Sequence, residues 1–361
     1  MEYIKSNKPK LKIGLYSPYL SMLGGGERYI LSIAEVLSHE HDVTLFADFL
    51  LKTKIQKILN LPLSSVKFQS ENNIRHIDPG KRFTNLSRFD VFFFTTDGSL
   101  FLSGAKKNYI IIQSPVHIPK KTVLNTIKLT QWKILCYSEF MKTVIEGALN
   151  KPAEILSPCI PLDAYSFKKD KSKTILTVGR FFAEPHSKKQ DILVKIFKSH
   201  ANDVFKGWKL VIAGGLTEKS GDSLVRQLRH MSVGCPIDIR VNISYQELIS
   251  LYSTSAIYWH AAGFGEDINK HPERAEHFGI TTLEAMISGA VPIVYNAGGQ
   301  KDIVSEGFNG FLWSSEDELV NKTKNLIHSP DLYDRIQKDA RSFVKKYSCE
   351  VFYEKVSSLI F

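Results

Sequence analysis

Short apolar runs bounded by glycine or polar clusters recur along the chain, and between them lie stretches whose apolar positions return every three or four residues. The first is the buried strand type and the second the amphipathic helix type. Leu11–Ser17 reads as a buried parallel strand and Tyr29–Leu37 as a helix, with Gly24-Gly25-Gly26-Glu27-Arg28 between them. Strand-like runs follow at Asp42–Ala47, Asp90–Thr95, Tyr109–Gln113, Ile134–Tyr137 and Glu154–Leu156, and Glu139–Leu149 carries helical spacing. A second series opens with Thr174–Val178 and continues at Lys209–Ala213, Ile237–Val241, Ile257–His260 and Val291–Tyr295. Strands that alternate with helices predict an α/β protein with parallel, doubly wound sheets, and such sheets bind ligands at the carboxyl ends of their strands. The Gly24 loop, Thr95-Thr96-Asp97-Gly98 and Gln113-Ser114-Pro115-Val116-His117 all occupy such ends.

The break between the two series sets the domains. Pro158, Pro161 and the run Lys168–Lys173 read as an interdomain linker. The pattern predicts domains over 1–165 and 166–345, with an amphipathic helix in 346–361 crossing back to the first. A chain of 361 residues suits two such domains.

Composition narrows the class. No apolar run approaches the roughly 20 residues needed to span a bilayer. The lysine-rich start running straight into a strand is not a signal peptide, so a cytoplasmic protein is expected. Cys136, Cys159, Cys235 and Cys349 lack metal-ligand or disulfide-framework spacing. Residues 1–165 hold 21 Lys and Arg against 14 Asp and Glu, and Lys106–Lys151 holds eight lysines and two acids. That basic half favours an anionic partner such as a nucleotide, a lipid phosphate or a membrane surface. No nucleic-acid module is present, and the basic residues lack interleaved stacking aromatics.

Three stretches carry candidate chemistry. Three consecutive glycines after the first strand let a backbone approach a phosphate closely, or simply make a tight turn. Gly179-Arg180 after the second domain's first strand, with His186-Ser187-Lys188-Lys189-Gln190 following, brings two cations to one strand end. Arg180 as a fork and Lys188 as a point charge would clamp a diphosphate; otherwise this is an ordinary surface loop. Glu276-His277-Phe278-Gly279-Ile280-Thr281-Thr282-Leu283-Glu284 reads as a loop-to-helix junction, with Glu284 in the first helical turn and backbone N–H groups free for an anion. The competing reading is a capping box of Thr281 and Glu284. His260, at the mouth of the long loop to Glu276, is either a packed histidine or a ligand contact, and that loop is expected to order when a ligand binds. Gly298-Gly299 would present amides to a ligand or form a tight turn.

Gly25-Gly26-Glu27, Gly179-Arg180 with Lys188, the two glutamates with seven residues between them, and Gly298-Gly299 occur in an order that resembles the retaining glycosyltransferases of the GT-B fold, family 4. The resemblance covers almost the whole chain. The Gly-rich loop looks most like mannosyltransferases that extend lipid-linked oligosaccharides and like enzymes of surface-polysaccharide assembly. It implies two Rossmann-like domains facing across a cleft. Arg180 and Lys188 would grip the donor diphosphate, and Glu284 the ribose hydroxyls. Glu276, His277 and the backbone of Phe278, Gly279 and Ile280 would meet the sugar and phosphates, with Gly25 and Gly26 closing from the first domain. Catalysis would be electrostatic, without a metal or cofactor and without Glu276 as a nucleophile; the chain has no Asp-x-Asp pair.

The chain departs from the family where many relatives place a histidine at the end of the strand corresponding to Asp90–Thr95. Here Asp97 would bond a sugar hydroxyl and His117 would reach the acceptor, or each is an ordinary turn or surface residue. The resemblance thus implies a hexosyltransferase that moves mannose from GDP-mannose to a glycan or lipid-linked acceptor. A UDP-sugar enzyme of the same fold and a non-catalytic nucleotide-sugar scaffold are the alternatives. Lysines interleaved with Ile118, Val123, Leu124 and Ile127 would suit peripheral association with an anionic membrane, or form a solvated face.

Overall fold

The computed structural model describes residues 9–59, 61–182, 187–216 and 220–361. His186 lies outside them. The chain forms two compact units, one running through Cys159 and completed by Cys349–Phe361, the other Ile160–Ser348.

Among the described residues the first unit holds seven strands: β1 Lys12–Tyr16, β2 Asp42–Phe46, β3 Lys67–Gln69, β4 Val91–Thr95, β5 Lys107–Ile111, β6 Trp132–Cys136 and β7 Ala153–Ile155. They pair in the order β3-β2-β1-β4-β5-β6-β7, parallel throughout. The second unit holds six: β8 Ser172–Val178, β9 Lys209–Gly214, β10 Ile237–Val241, β11 Ser255–His260, β12 Val291–Tyr295 and β13 Phe311–Trp313. Their order, β10-β9-β8-β11-β12-β13, repeats that of the first sheet, again all parallel. In each sheet the winding reverses beside the unit's first strand, between β1 and β4 and between β8 and β11. That reversal leaves a crevice at the strands' carboxyl ends.

Helices cover these sheets, so the central strands are buried on both faces and read as continuous apolar runs. Phe46, Phe92, Phe94, Phe101 and Trp132 pack together in the first unit, with Phe94 and Phe101 rings 4.8 Å apart. Phe197, Phe205, Trp259 and Trp313 fill the second. Trp259 satisfies its indole N–H on Thr323 Oγ1 at 3.0 Å, as a buried indole requires. The C-terminal helix Cys349–Ile360 belongs to the first unit, where Phe352 meets Tyr29 and the Leu359 carbonyl accepts from the Tyr109 hydroxyl.

Three expectations change. Residues 160–165 lie in the second unit, because Ile160 N–H donates to the Tyr347 carbonyl at 2.8 Å and Tyr165 bonds Glu284. Lys168–Lys173 lies inside the second unit rather than linking the two: β8 begins at Ser172, and Lys171 inserts its ammonium between the carbonyls of Ser253 and Ser288. Burial pulls the Lys171 ammonium down to about 8. The first helix spans Gly25–Ser38, so Gly25 and Gly26 occupy its first turn rather than a loop. The left-handed residue there is Leu23, with φ +49°. Gly24 N–H donates to Glu27 Oε2 at 2.7 Å, so the Glu27 carboxylate caps the helix start although Gly24 has no side chain to return the bond.

Candidate active site

The winding reversal of the second sheet places β8 and β11 side by side, and candidate side chains gather at their carboxyl ends. β8 ends at Val178 and Gly179 follows. A Cβ on Gly179 would stand 2.9 Å from Lys188 Cγ, so only glycine lets the lysine stem cross there. Lys189 caps the helix Gln190–His200 in a left-handed conformation, φ +54°. Arg180 is exposed, with its guanidinium 4.7 Å over the Phe182 ring and its carbonyl accepting from Gln190 Nε2 at 3.2 Å. Among the described residues Arg180 has no carboxylate partner.

Lys188 does have one. Its ammonium stands 2.8 Å from Glu276 Oε2, and the same oxygen lies 3.1 Å from His260 Nε2 at the end of β11. His260 is buried, and Glu276 and Lys188 side chains are 17% and 26% exposed. Burial alone would raise the Glu276 pKa, but the Lys188 charge and the His260 hydrogen bond outweigh it and hold the carboxyl well below its ordinary range. Burial draws the His260 imidazole down, against the opposing pull of Glu276. A neutral imidazole beside an ionised carboxylate must donate its Nε2–H. The cluster is therefore an anion and a cation in contact, with a neutral donor behind them.

The loop from His260 to Glu276 is tied down by Glu266, which takes Lys189 on one oxygen and Arg274 Nη1 at 2.6 Å on the other. Hydrogen bonds from Lys189 and Arg274 hold the Glu266 pKa below its ordinary value. Glu266 thus ties the loop both to Lys189 at the helix entry and to Arg274 within the loop itself.

Beyond Glu276 the chain enters the helix Ile280–Ile287 through Gly279 at φ +114°, a conformation reserved for glycine. The capping box does not form, and Glu284 lies in the second turn rather than the first. Thr281 is already helical, and its hydroxyl accepts from the Tyr258 hydroxyl at 2.7 Å. Glu284 instead takes the hydroxyls of Tyr165 and Tyr252 at 2.6 and 2.8 Å, one on each carboxylate oxygen. By helix geometry the amides of Ile280 and Thr281 have no intrahelical acceptor, whereas Thr282 and Leu283 N–H both turn back to the Gly279 carbonyl. Phe278 buries its ring against Tyr347, leaving its backbone beside the site, and His277 is half-buried.

Gly298 and Gly299 serve close packing. A Cβ on Gly298 would meet the Glu276 carbonyl oxygen at 2.3 Å, and one on Gly299 the His277 carbonyl oxygen at 2.6 Å. The Gly299 N–H donates to Glu276 O at 2.7 Å, so this amide is committed to the protein. Sequence reasoning missed Tyr165 and Tyr252, since lone tyrosines carry no spacing signal.

In the first unit, Gly26 lies against Gln113: a Cβ there would meet Gln113 Oε1 at 2.4 Å, and Gln113 Nε2 donates to Gly26 O at 2.9 Å. Gly25 is exposed beside it. The His117 ring stacks on Tyr19 at 5.1 Å, with Nε2 3.2 Å from the Tyr19 hydroxyl. Asp97 accepts from Ser99 N–H at 3.1 Å and Ser99 Oγ at 2.6 Å, the bonding of a polar turn residue. Among the described residues no group of three or more His, Cys, Asp or Glu is placed to hold a metal ion.

Two parallel sheets of one winding order are the GT-B fold, and solved structures of that fold match along the chain. HepE of Anabaena in complex with UDP superposes with a TM-score of 0.72 at 15% identity, covering 97% of this chain and 99% of that one. A glycosyltransferase of Rickettsia africae superposes at 0.74 and 16%, covering 98% of each. The chain belongs to the glycosyl transferases group 1 family, whose model matches residues 162–343. Among curated relatives, the mouse GDP-Man:Man(3)GlcNAc(2)-PP-Dol alpha-1,2-mannosyltransferase is 30% identical over 188 residues, 49% of this chain and 36% of the mouse protein. Its human counterpart is 29% identical over the same length. The match thus spans little more than a third of those relatives.

Proposed function

We propose that this protein is a retaining hexosyltransferase that moves mannose from GDP-mannose to a glycan or lipid-linked acceptor. The observation that carries the reading is the Lys188–Glu276–His260 cluster, with carboxylate-free Arg180 beside it, at the strand ends where doubly wound sheets bind ligands. Arg180 and Lys188 bind the donor diphosphate and offset the charge that grows on it as the bond from the sugar's anomeric carbon to phosphate breaks. The bonding pair leaves with the phosphate oxygen. The acceptor hydroxyl attacks from the same face, and its proton passes to the departing phosphate. Glu276, ionised and braced by His260, orients the sugar hydroxyls. Glu284, held on each oxygen by a tyrosine hydroxyl, meets the ribose diol. The amides of Ile280 and Thr281 face the phosphates. No step is assigned to a metal, and we expect transfer to persist in a chelator.

The names of the mouse and human relatives support GDP-mannose and a lipid-linked oligosaccharide. A second reading, a UDP-sugar donor, draws on the HepE structures with UDP and UDP-glucose. The test is a transfer assay with GDP-mannose, UDP-glucose and UDP-N-acetylglucosamine on lipid-linked acceptors. Turnover with GDP-mannose alone supports the first reading, and turnover with a UDP sugar alone replaces it with the second. Nucleotide-sugar binding without transfer or hydrolysis to any acceptor offered supports the scaffold alternative. The protein is further proposed to act on an acceptor presented at an anionic membrane surface; none of its described helices is long and apolar enough to cross one.

A further inference from the structure

The chain passes between its two units twice, from Cys159 to Ile160 and from Ser348 to Cys349, and a cysteine stands on the first-unit side of each crossing. The crossings lie together. Ile160 and Ser348 form a parallel bridge, and the Ile160 N–H donates to the Tyr347 carbonyl at 2.8 Å. That pairing brings Cys159 beside Cys349, the first residue of the C-terminal helix, and the two side chains hydrogen-bond to one another. Spacing in the sequence hides this pair, because the whole second unit lies between its members in the chain.

The surroundings make the two sulfurs unequal. Cys159 also hydrogen-bonds Ser32 on the helix Gly25–Ser38, and the Arg28 guanidinium of the same helix acts on it through space. The hydrogen bond from Cys349 leads in holding the Cys159 thiol below its ordinary range, and Ser32 and Arg28 add to it against burial. The Cys349 thiol is pushed up in turn, since it keeps the proton it donates. The first proton the pair gives up therefore leaves Cys159. Both sulfurs are half-buried, within reach of a small oxidant. Cys136 is the contrast: it is buried, and burial pushes its thiol up to about 12. Packing alone would explain two adjacent cysteines, but not a cation and a hydroxyl gathered on one of them.

We propose that Cys159 and Cys349 form a redox-modification site, at which a hydroperoxide closes a reversible disulfide that joins the two crossings. The Cys159 thiolate attacks the terminal oxygen of the hydroperoxide and the O–O bond breaks. With hydrogen peroxide the departing hydroxide takes up a proton as water, and Cys159 becomes a sulfenic acid. The Cys349 sulfur then attacks the Cys159 sulfur. The S–S bond forms as the S–O bond breaks, and that oxygen leaves as a second water with the Cys349 proton. Two thiols thus lose two electrons to one peroxide, and a dithiol returns them. The closed bond places the whole second unit inside one covalent ring, which removes conformational freedom from its unfolded chain. None of the residues assigned to sugar transfer takes part, so this site stands or falls apart from the donor reading.

The test is peptide mapping of the whole folded protein after an equimolar amount of hydrogen peroxide, with the remaining thiols alkylated. Cys159 and Cys349 should appear as one linked pair. Thiol titration should fall from the four cysteines of the chain by that pair, and dithiothreitol should restore it. Cys349→Ala should stop at a Cys159 sulfenic acid that dimedone traps, whereas Cys159→Ala should leave Cys349 a thiol. Oxidised wild type should melt several degrees above the reduced protein, a shift that both variants lose. The mapping of wild type stands whether or not the variants fold.

Peroxide that leaves Cys159 and Cys349 free while oxidising Cys235 overturns the proposal, as does a link that forms only in denaturant or only between chains. Dimedone found on Cys349 rather than Cys159 overturns the assignment of the attacking sulfur. A mapped disulfide that leaves the melting temperature unchanged or lower overturns the stapling role.

Discussion

Arg180 and Lys188 stand close in sequence, but their physical states differ, and the difference separates catalysis from stability. Arg180 is exposed and rests on one aromatic ring, so Arg180→Ala should leave thermal stability within about 0.5 kcal/mol. Loss of a group that stabilises charge only in the transition state should still lower turnover by roughly 100- to 1000-fold. Lys188→Ala strikes a partly buried ion pair and leaves Glu276 without its cation. It should lower turnover and also cost roughly 1–3 kcal/mol of stability, part of which Glu276→Gln recovers in the double variant. Steady-state kinetics beside denaturant melts of wild type, Arg180→Ala, Lys188→Ala, Glu276→Gln and the double variant check both statements. A destabilised Arg180→Ala, or additive Lys188 and Glu276 effects, would contradict the geometry. At this scale the sequence was informative about residue type and order: Glu276, Arg180 and Lys188 were legible because several motifs coincide. Their pairing was not, since nothing in the spacing tells that Lys188 and Glu276 meet or that Tyr165 reaches Glu284 across more than a hundred residues.

At the level of elements, the site is held by close backbone approach and by burial. The Gly298-Gly299 turn presses on the segment that carries Glu276, with the Gly299 amide bonded to the Glu276 carbonyl. Gly299→Ala would drive a Cβ to 2.6 Å from the fixed His277 carbonyl oxygen, although φ itself permits alanine. The expected cost is about 1–3 kcal/mol, as for other overpacked sites, with weakened donor binding. A melt of the alanine variant that matches wild type would show that the turn yields freely.

His260 gives β11 a pH dependence. Its folded pKa lies below the ordinary 6.5, so the unfolded chain binds the extra proton. The stability this group contributes is fully present above 6.5 and is lost as pH falls toward the folded value. Glu276 has the same sign lower down, starting below its ordinary 4.5. Melting temperature should therefore fall as pH drops from about 7.5 to about 5, with each tenfold difference in proton affinity between the folded and unfolded chain worth roughly 1.4 kcal/mol. His260→Gln should flatten that stretch of the profile.

Long elements were readable from period and burial: the helix Glu139–Leu149 appears with the bounds its spacing predicts, and β10 spans Ile237–Val241 as read. Of the three-residue strands, β7 was read one residue late as Glu154–Leu156, whereas β3 and β13 were missed, since runs so short carry too few positions to set a period. The start of the first helix was missed because the glycine run gives no helical signal, while the Gly24 amide is in fact taken by the Glu27 carboxylate.

The two units repeat one winding order from unlike sequences, and each has loops at the strand ends beside the reversal. The alternation of strands and helices was enough to read this architecture, because buried parallel strands must be continuously apolar and their crossovers must be amphipathic. Donor choice was not legible, because periodicity does not encode which loop side chains would meet a base. The central claim, that the second unit's cluster is a nucleotide-sugar site, stands apart from which sugar is transferred. It is tested most directly by a thermal-shift titration of GDP, UDP and ADP and their sugars against wild type and Arg180→Ala. GDP and GDP-mannose should raise the melting temperature of wild type by several degrees, since ligand at about 100 times its Kd contributes about 2.7 kcal/mol. Arg180→Ala should lose most of that shift while melting normally without ligand. A wild-type protein whose melting temperature none of these nucleotides moves would contradict it.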